Sequence, residues 1–226
     1  MKKIKIKHLP IIFIFLFPFI AIADNNSSNQ YLNIKSWSTK NEAIVYFVQE
    51  ASLPMVDINI LFHAGSAYDG KKFGLSSMTT SLIGTNTNKL SENQLIDAVT
   101  DLGTQINSNN SRDSLTISYR SLSEDKYLNP SIKLFSDIIN HAIFKNNTFH
   151  RVKEQYLTSI KFEDESPKSV ATKAFYNALY GNHPYAHSVN GTEQSIKNIN
   201  VKDIKNFYEK YLVGTNTTIT IVGNLS

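Results

Sequence analysis

Residues 74–85 constrain this chain more than any other stretch: a short apolar-striped helix between two glycines, entered from a strand through a tight turn. Met55–His63 is rich in apolar and β-branched residues and reads as a strand, and Ala64-Gly65-Ser66-Ala67-Tyr68-Asp69 reads as the turn that follows it. Leu75, Met78 and Leu82 then recur at helical spacing, and Gly84-Thr85 supplies the C-cap. The other face of this helix carries Ser76, Ser77, Thr79, Thr80 and Ser81, small hydroxyl side chains with little chemistry of their own.

The rest of the chain alternates strand and helix patterns, an order that allows an α+β fold. Structure is expected to begin near Leu32. Glu42–Val48 and Val56–Phe62 read as two paired strands separated by the turn-prone Ser52-Leu53-Pro54. Ser91-Glu92-Asn93-Gln94 is a capping box that opens a second helix, with Leu95, Ile96, Val99 and Leu102 on its buried side and Gly103 at its end. Gln105–Ser108 and Ser114–Arg120 form an expected hairpin, with Leu115, Ile117 and Tyr119 alternating against Thr116, Ser118 and Arg120. Ser123 is placed to cap a third helix bearing Tyr127, Ile132, Leu134, Phe135, Ile138 and Ile139, and Pro130 marks its first turn. Thr148–Glu165 reads as a fourth, bearing Phe149, Val152, Tyr156, Ile160 and Phe162, and Lys168–Leu179 as another amphipathic helix beyond Pro167.

The N-terminus is a targeting signal rather than part of the fold. Lys2, Lys3, Lys5 and Lys7 precede an apolar run over Leu9–Ile20, and Ala21-Ile22-Ala23 is a small-x-small cleavage site. Residues 1–23 therefore read as a secretory signal peptide, 24–31 as a flexible polar spacer and 32–226 as the folded part. The 226 residues carry 23 basic and 19 acidic side chains, and four of the lysines sit in the signal, so the remainder is balanced. No basic footprint for nucleic acid is left. Cysteine does not occur, which fits export to a bacterial periplasm better than a disulfide-stapled secreted domain.

The strand, the Ala-Gly-Ser turn and the helix after Gly74 resemble the insulinase/pitrilysin-type zinc metallopeptidases, a family that includes the mitochondrial processing peptidases. Gly181-Asn182-His183-Pro184-Tyr185, Gly191-Thr192, Phe207-Tyr208, Tyr211 and Ile219–Gly223 extend the resemblance over roughly residues 32–226. In catalytic members the helix carries the inverted zinc motif His-x-x-Glu-His, whose two imidazoles share a zinc while the Glu deprotonates the bound water. Laid on this chain, the resemblance puts the His positions at Ser77 and Ser81, the general base at Thr80 and, counting back from Pro167, the third ligand at Ser159. All four are hydroxyl residues, and none can replace an imidazole or a carboxylate at neutral pH.

The resemblance implies a largely antiparallel sheet of about five to six strands packed against helices, one half of a two-domain repeat whose second half is not seen here. It further implies a catalytically inactive homologue with no catalytic, cofactor-binding or metal residues. Such a chain would pair with a zinc-bearing homologue in the periplasm to enclose peptides, with no nucleic acid partner and no membrane association once the signal is cleaved. Zinc is expected only if the family's activity survives through other ligands, the second reading; a truncated remnant without independent function is the third. Competing metal sites are weak. His183 and His187 have i, i+4 spacing but lie around Pro184 in a loop. His150 and Glu154 read as a solvated helical contact near His141, and His63 as a structural residue at a strand end. No Gly-x-Ser-x-Gly elbow supports a serine nucleophile.

Overall fold

The computed structural model describes residues 32–225. The signal and spacer readings, with Ala21 and Ala23, fall outside them. The six strands are β1 (Ile34–Ser38), β2 (Ile44–Gln49), β3 (Met55–Phe62), β4 (Gln105–Asn110), β5 (Leu115–Leu122) and β6 (Thr217–Gly223). The seven α-helices are α1 (Leu75–Leu82), α2 (Glu92–Asp101), α3 (Asp125–Asn140), α4 (Asn146–Glu165), α5 (Pro167–Tyr180), α6 (Glu193–Asn198) and α7 (Val201–Tyr211).

The strands form one sheet in the order β1-β2-β6-β3-β5-β4. Every neighbouring pair is antiparallel except β2 with β6, which is parallel, so the sheet is mixed. The expected pairing of β2 with β3 is corrected here. The return strand β6 inserts between them, with Tyr46 opposite Thr220 on one side and Asn59 opposite Thr220 on the other. Ile219 and Ile221 thereby join Ile58 and Ile60 on the covered face, an apolar match that a direct pairing of β2 with β3 would leave without its central strand.

That face is packed by helices. Val56, Leu115, Ile117 and Tyr119 are buried to 1 % exposure or less, each contributing about 1.5–3 kcal/mol by apolar burial. Tyr119 shares a buried 2.7 Å hydrogen bond with Ser131 on α3, which satisfies its hydroxyl. The capping box at Ser91 and Gln94 forms as the spacing requires. Helix α3 starts one residue later than a Ser123 cap would place it, with Glu124 as the N-cap, and before the expected Pro130 first turn, since Pro130 sits in the helix interior. Ile96, expected on the buried side of its helix, is exposed, as are Ile132 on α3 and Phe162 on α4.

Helix α5 departs furthest from expectation. None of its residues is fully buried, and its half-buried side carries Ser169, Lys173, Tyr176 and Tyr180. Val170, Ala171, Ala174, Phe175, Ala178 and Leu179 lie on the opposite, exposed side. The helix is amphipathic, with its apolar stripe outward.

Candidate functional site

Helix α1 is held at its start by a buried carboxylate. The Oδ2 of Asp69 accepts the Gly74 N–H at 2.7 Å and its Oδ1 accepts the Ser76 N–H at 2.8 Å, so Asp69 satisfies two of the orphan donors of the first turn. Burial pushes the Asp69 carboxyl up from 3.8 to about 7, against the opposing pull of the Ser76 and Gly74 N–H groups. Gly74 has a φ of 90°, and a Cβ there would lie 2.6 Å from the carbonyl oxygen of Asn190. The start of α1 is thus pressed directly against the 188–191 loop.

Only Ser81 of α1 is exposed; Ser76, Ser77, Thr79 and Thr80 are buried. Their hydroxyls are consumed locally. Thr79 and Thr80 each donate at 2.8 Å to the carbonyl four residues back, Leu75 and Ser76 respectively. Ser77 donates to the Val189 carbonyl at 2.8 Å and accepts from Asn110 Nδ2 at 2.9 Å, and the same amide reaches Ser76 Oγ at 3.0 Å. Asn110 ends β4, so three elements meet at Ser77.

The side chain that α4 presents to this face is Tyr156. Its hydroxyl lies 2.9 Å from Ser81 Oγ. Burial raises its phenol above the ordinary value, countered in part by hydrogen bonds with Ser81 and Ser77. Ser159 is exposed and is not brought to Ser77 or Ser81 by any hydrogen bond. The count back from Pro167 therefore lands about one turn away from the residue that faces α1. The site that forms is neutral: hydroxyls, a phenol and a carboxamide, with the Asn110 Oδ1 buried and unpartnered among the described residues.

Such donors do not suit zinc. A phenol shifted up and hydroxyls bonded to carbonyls or, for Ser81, to that phenol give no anionic or imidazole ligand, and threonine at 80 gives no base. Among the described residues no three His, Cys, Asp or Glu side chains gather as a metal site. His183 and His187 flank a 3-10 turn over Pro184–Ala186, where His183 Nδ1 accepts the Tyr185 N–H and His187 stacks on Phe73. His150 and Glu154 form no ion pair; the His150 ring lies edge-on to Phe149 instead, and His141 contacts Asp137 at 3.2 Å. Exposed His63 meets Asn216 through its backbone alone.

Asp69, Asn110 and Tyr156 were not legible as site residues. Asp69 reads as turn polarity, Asn110 as a hairpin residue and Tyr156 as part of an apolar face.

A family model described as insulinase, peptidase family M16, matches residues 44–193. This chain belongs to the M16 family. Among its relatives, an uncharacterized zinc protease, YmxG, of Bacillus subtilis is 21 % identical over 194 residues, covering 85 % of this chain and 47 % of that one. A protein named as a non-peptidase homolog, YmxG, of Helicobacter pylori is 24 % identical, covering 82 % and 43 %. The crystal structure of a peptidase M16 inactive domain from Pseudomonas fluorescens superposes with a TM-score of 0.85 at 31 % identity, over 86 % of this chain and 47 % of that one. The chain spans under half the length of these M16 relatives.

Proposed function

We propose that this chain is a non-catalytic M16 homologue that acts as a partner subunit, helping a zinc-bearing homologue to enclose peptides. The observation that carries the reading is the hydroxyl set on α1. Ser77, Thr80 and Ser81 stand where the resemblance places two zinc ligands and the general base, and Tyr156 faces them from α4. The non-peptidase relative and the inactive-domain structure support it. The zinc that the family implies does not fit these residues, so no hydrolytic step is assigned to them.

The subunit role is supported by the outward apolar stripe of α5. Phe175 and Leu179 are 60 % and 59 % exposed, and Phe162 on α4 is 68 % exposed. Large apolar side chains exposed along one side of a helix favour an interaction surface. Strand β4, at the sheet edge beside α1, is available to pair with an extended peptide. In this reading the signal sequence read over residues 1–23 sends the chain to the periplasm.

The test is cleavage of a quenched peptide by the mature chain, alone and with a co-expressed catalytic homologue. No cleavage alone together with stimulation of the partner is expected. Chelator-sensitive cleavage by the chain alone would overturn the reading, and silence in both arms would favour a remnant without independent function.

A further inference from the structure

The polar side of α5 does not pack on the core. Lys168, Ser169, Lys173 and Tyr176 join Arg112 and the 186–189 segment around a cavity of about 380 Å³. A helix that turns its polar side inward and its apolar side outward is explained if the hollow holds something polar.

Its charge shows of which sign. Lys173 is matched by Glu163 in the cavity wall at 3.2 Å and by Asp164 outside it at 2.9 Å. Arg112 and Lys168 form no ion pair among the described residues, so positive charge is left over. Arg112 is also held in a fixed plane. Its guanidinium carbon lies 3.8 Å from the Tyr176 ring centroid, and its Nε donates to the Tyr185 carbonyl at 3.2 Å. Tyr185 is itself tied to Asp113 through its hydroxyl. The terminal guanidinium nitrogens have no hydrogen-bond partner among the described residues. A guanidinium stacked on an aromatic ring, with its fork free, is pre-organised for a planar bidentate acceptor.

We propose that this cavity binds the carboxylate of a peptide, with Arg112 as the fork and Lys168 as the second charge. The inference rests on the reading that the chain handles peptides, and the geometry joins the two: Val189, which accepts the Ser77 hydroxyl, also lines the cavity. A peptide anchored here by its carboxylate would pass beside α1.

The experiment is fluorescence anisotropy on the full mature chain with three N-terminally labelled alanine pentapeptides. One has a free C-terminal carboxylate, one is the C-terminal amide, and one is an amide carrying a single Glu. The free acid is expected to bind about tenfold tighter than the plain amide. That preference should disappear in Arg112→Gln, be kept in part by Arg112→Lys, and shrink in Lys168→Ala, an exposed change with little risk to folding. If only the Glu-bearing amide is preferred, the group held is a side-chain carboxylate and the cavity assignment stands. Equal affinity for all three peptides, no binding of any, or a preference untouched by both Arg112→Gln and Lys168→Ala would overturn it. Zinc content and cleavage are read separately. Carboxylate preference in a zinc-bearing, cleaving chain would sink the non-catalytic reading alone, while a zinc-free, inactive chain without the preference would sink this proposal alone.

Discussion

Ser77 joins α1, the end of β4 and the 188–191 loop through one hydroxyl, so its removal tests whether the site is a structural junction. Ser77→Ala leaves the Val189 carbonyl and the Asn110 amide each short of a partner, and a loss of about 1–3 kcal/mol is expected from the urea midpoint. A change within about 0.5 kcal/mol would show that the junction is not holding these elements. Asp69 makes a pH-dependent statement at the same scale. Its carboxyl is raised in the folded state from 3.8 to about 7, so its contribution to stability is full below pH 3.8 and is lost as pH rises through about 7. Of other groups, Asp137, Glu50 and Glu193 are shifted down and act in the opposite direction, so the informative quantity is a difference between proteins. Between pH 4 and 8 the native chain should lose stability relative to Asp69→Asn, by up to about 4 kcal/mol. Parallel stability curves for the two proteins would contradict the assignment. Tyr156 shows why part of the site was hidden: in sequence it is one more large residue at helical spacing, and only the rotation of α4 about its axis decides that it, and not Ser159, meets Ser81.

Among the elements, those with local signals were legible. Gly74 and Gly84 bracket α1, the capping box at Ser91 opens α2, and the β4–β5 hairpin alternates as its residues require. What failed was long-range. Nothing near β2 or β3 announces that a strand more than 150 residues later will lie between them, so adjacency in sequence suggested a pairing that β6 pre-empts. The orientation of α5 was equally illegible, because an apolar stripe fixes a helix's two sides but not which side meets the protein. The tight contact between α1 and the 188–191 loop is testable at the glycines. Gly74→Ala puts a Cβ on a residue with φ of 90° and within 2.6 Å of a backbone oxygen, and should cost more than the roughly 1–2 kcal/mol of the left-handed conformation alone. Thermal unfolding measures this. A loss below about 1 kcal/mol would mean that the loop shifts freely and that Ser77 does not fix it.

At the scale of the whole molecule, one sheet face is covered by helices while α5 shows apolar surface to solvent. The subunit reading explains this by a partner. Phe175→Asp should leave the unfolding midpoint nearly unchanged, since the residue is 60 % exposed, yet abolish stimulation of a catalytic homologue. Retained stimulation would remove α5 from the interface. The family's zinc chemistry needs imidazole and carboxylate ligands, and here the corresponding face of α1 offers hydroxyls, those of Ser77 and Thr80 bonded to carbonyls and that of Ser81 to the neutral Tyr156 phenol opposite. Zinc content therefore bears most directly on the account. Elemental mass spectrometry on the purified mature chain, after incubation with excess zinc and removal of the free metal, should find almost none bound. Near one zinc per chain, released by chelator with loss of peptide cleavage, would contradict the account at its centre.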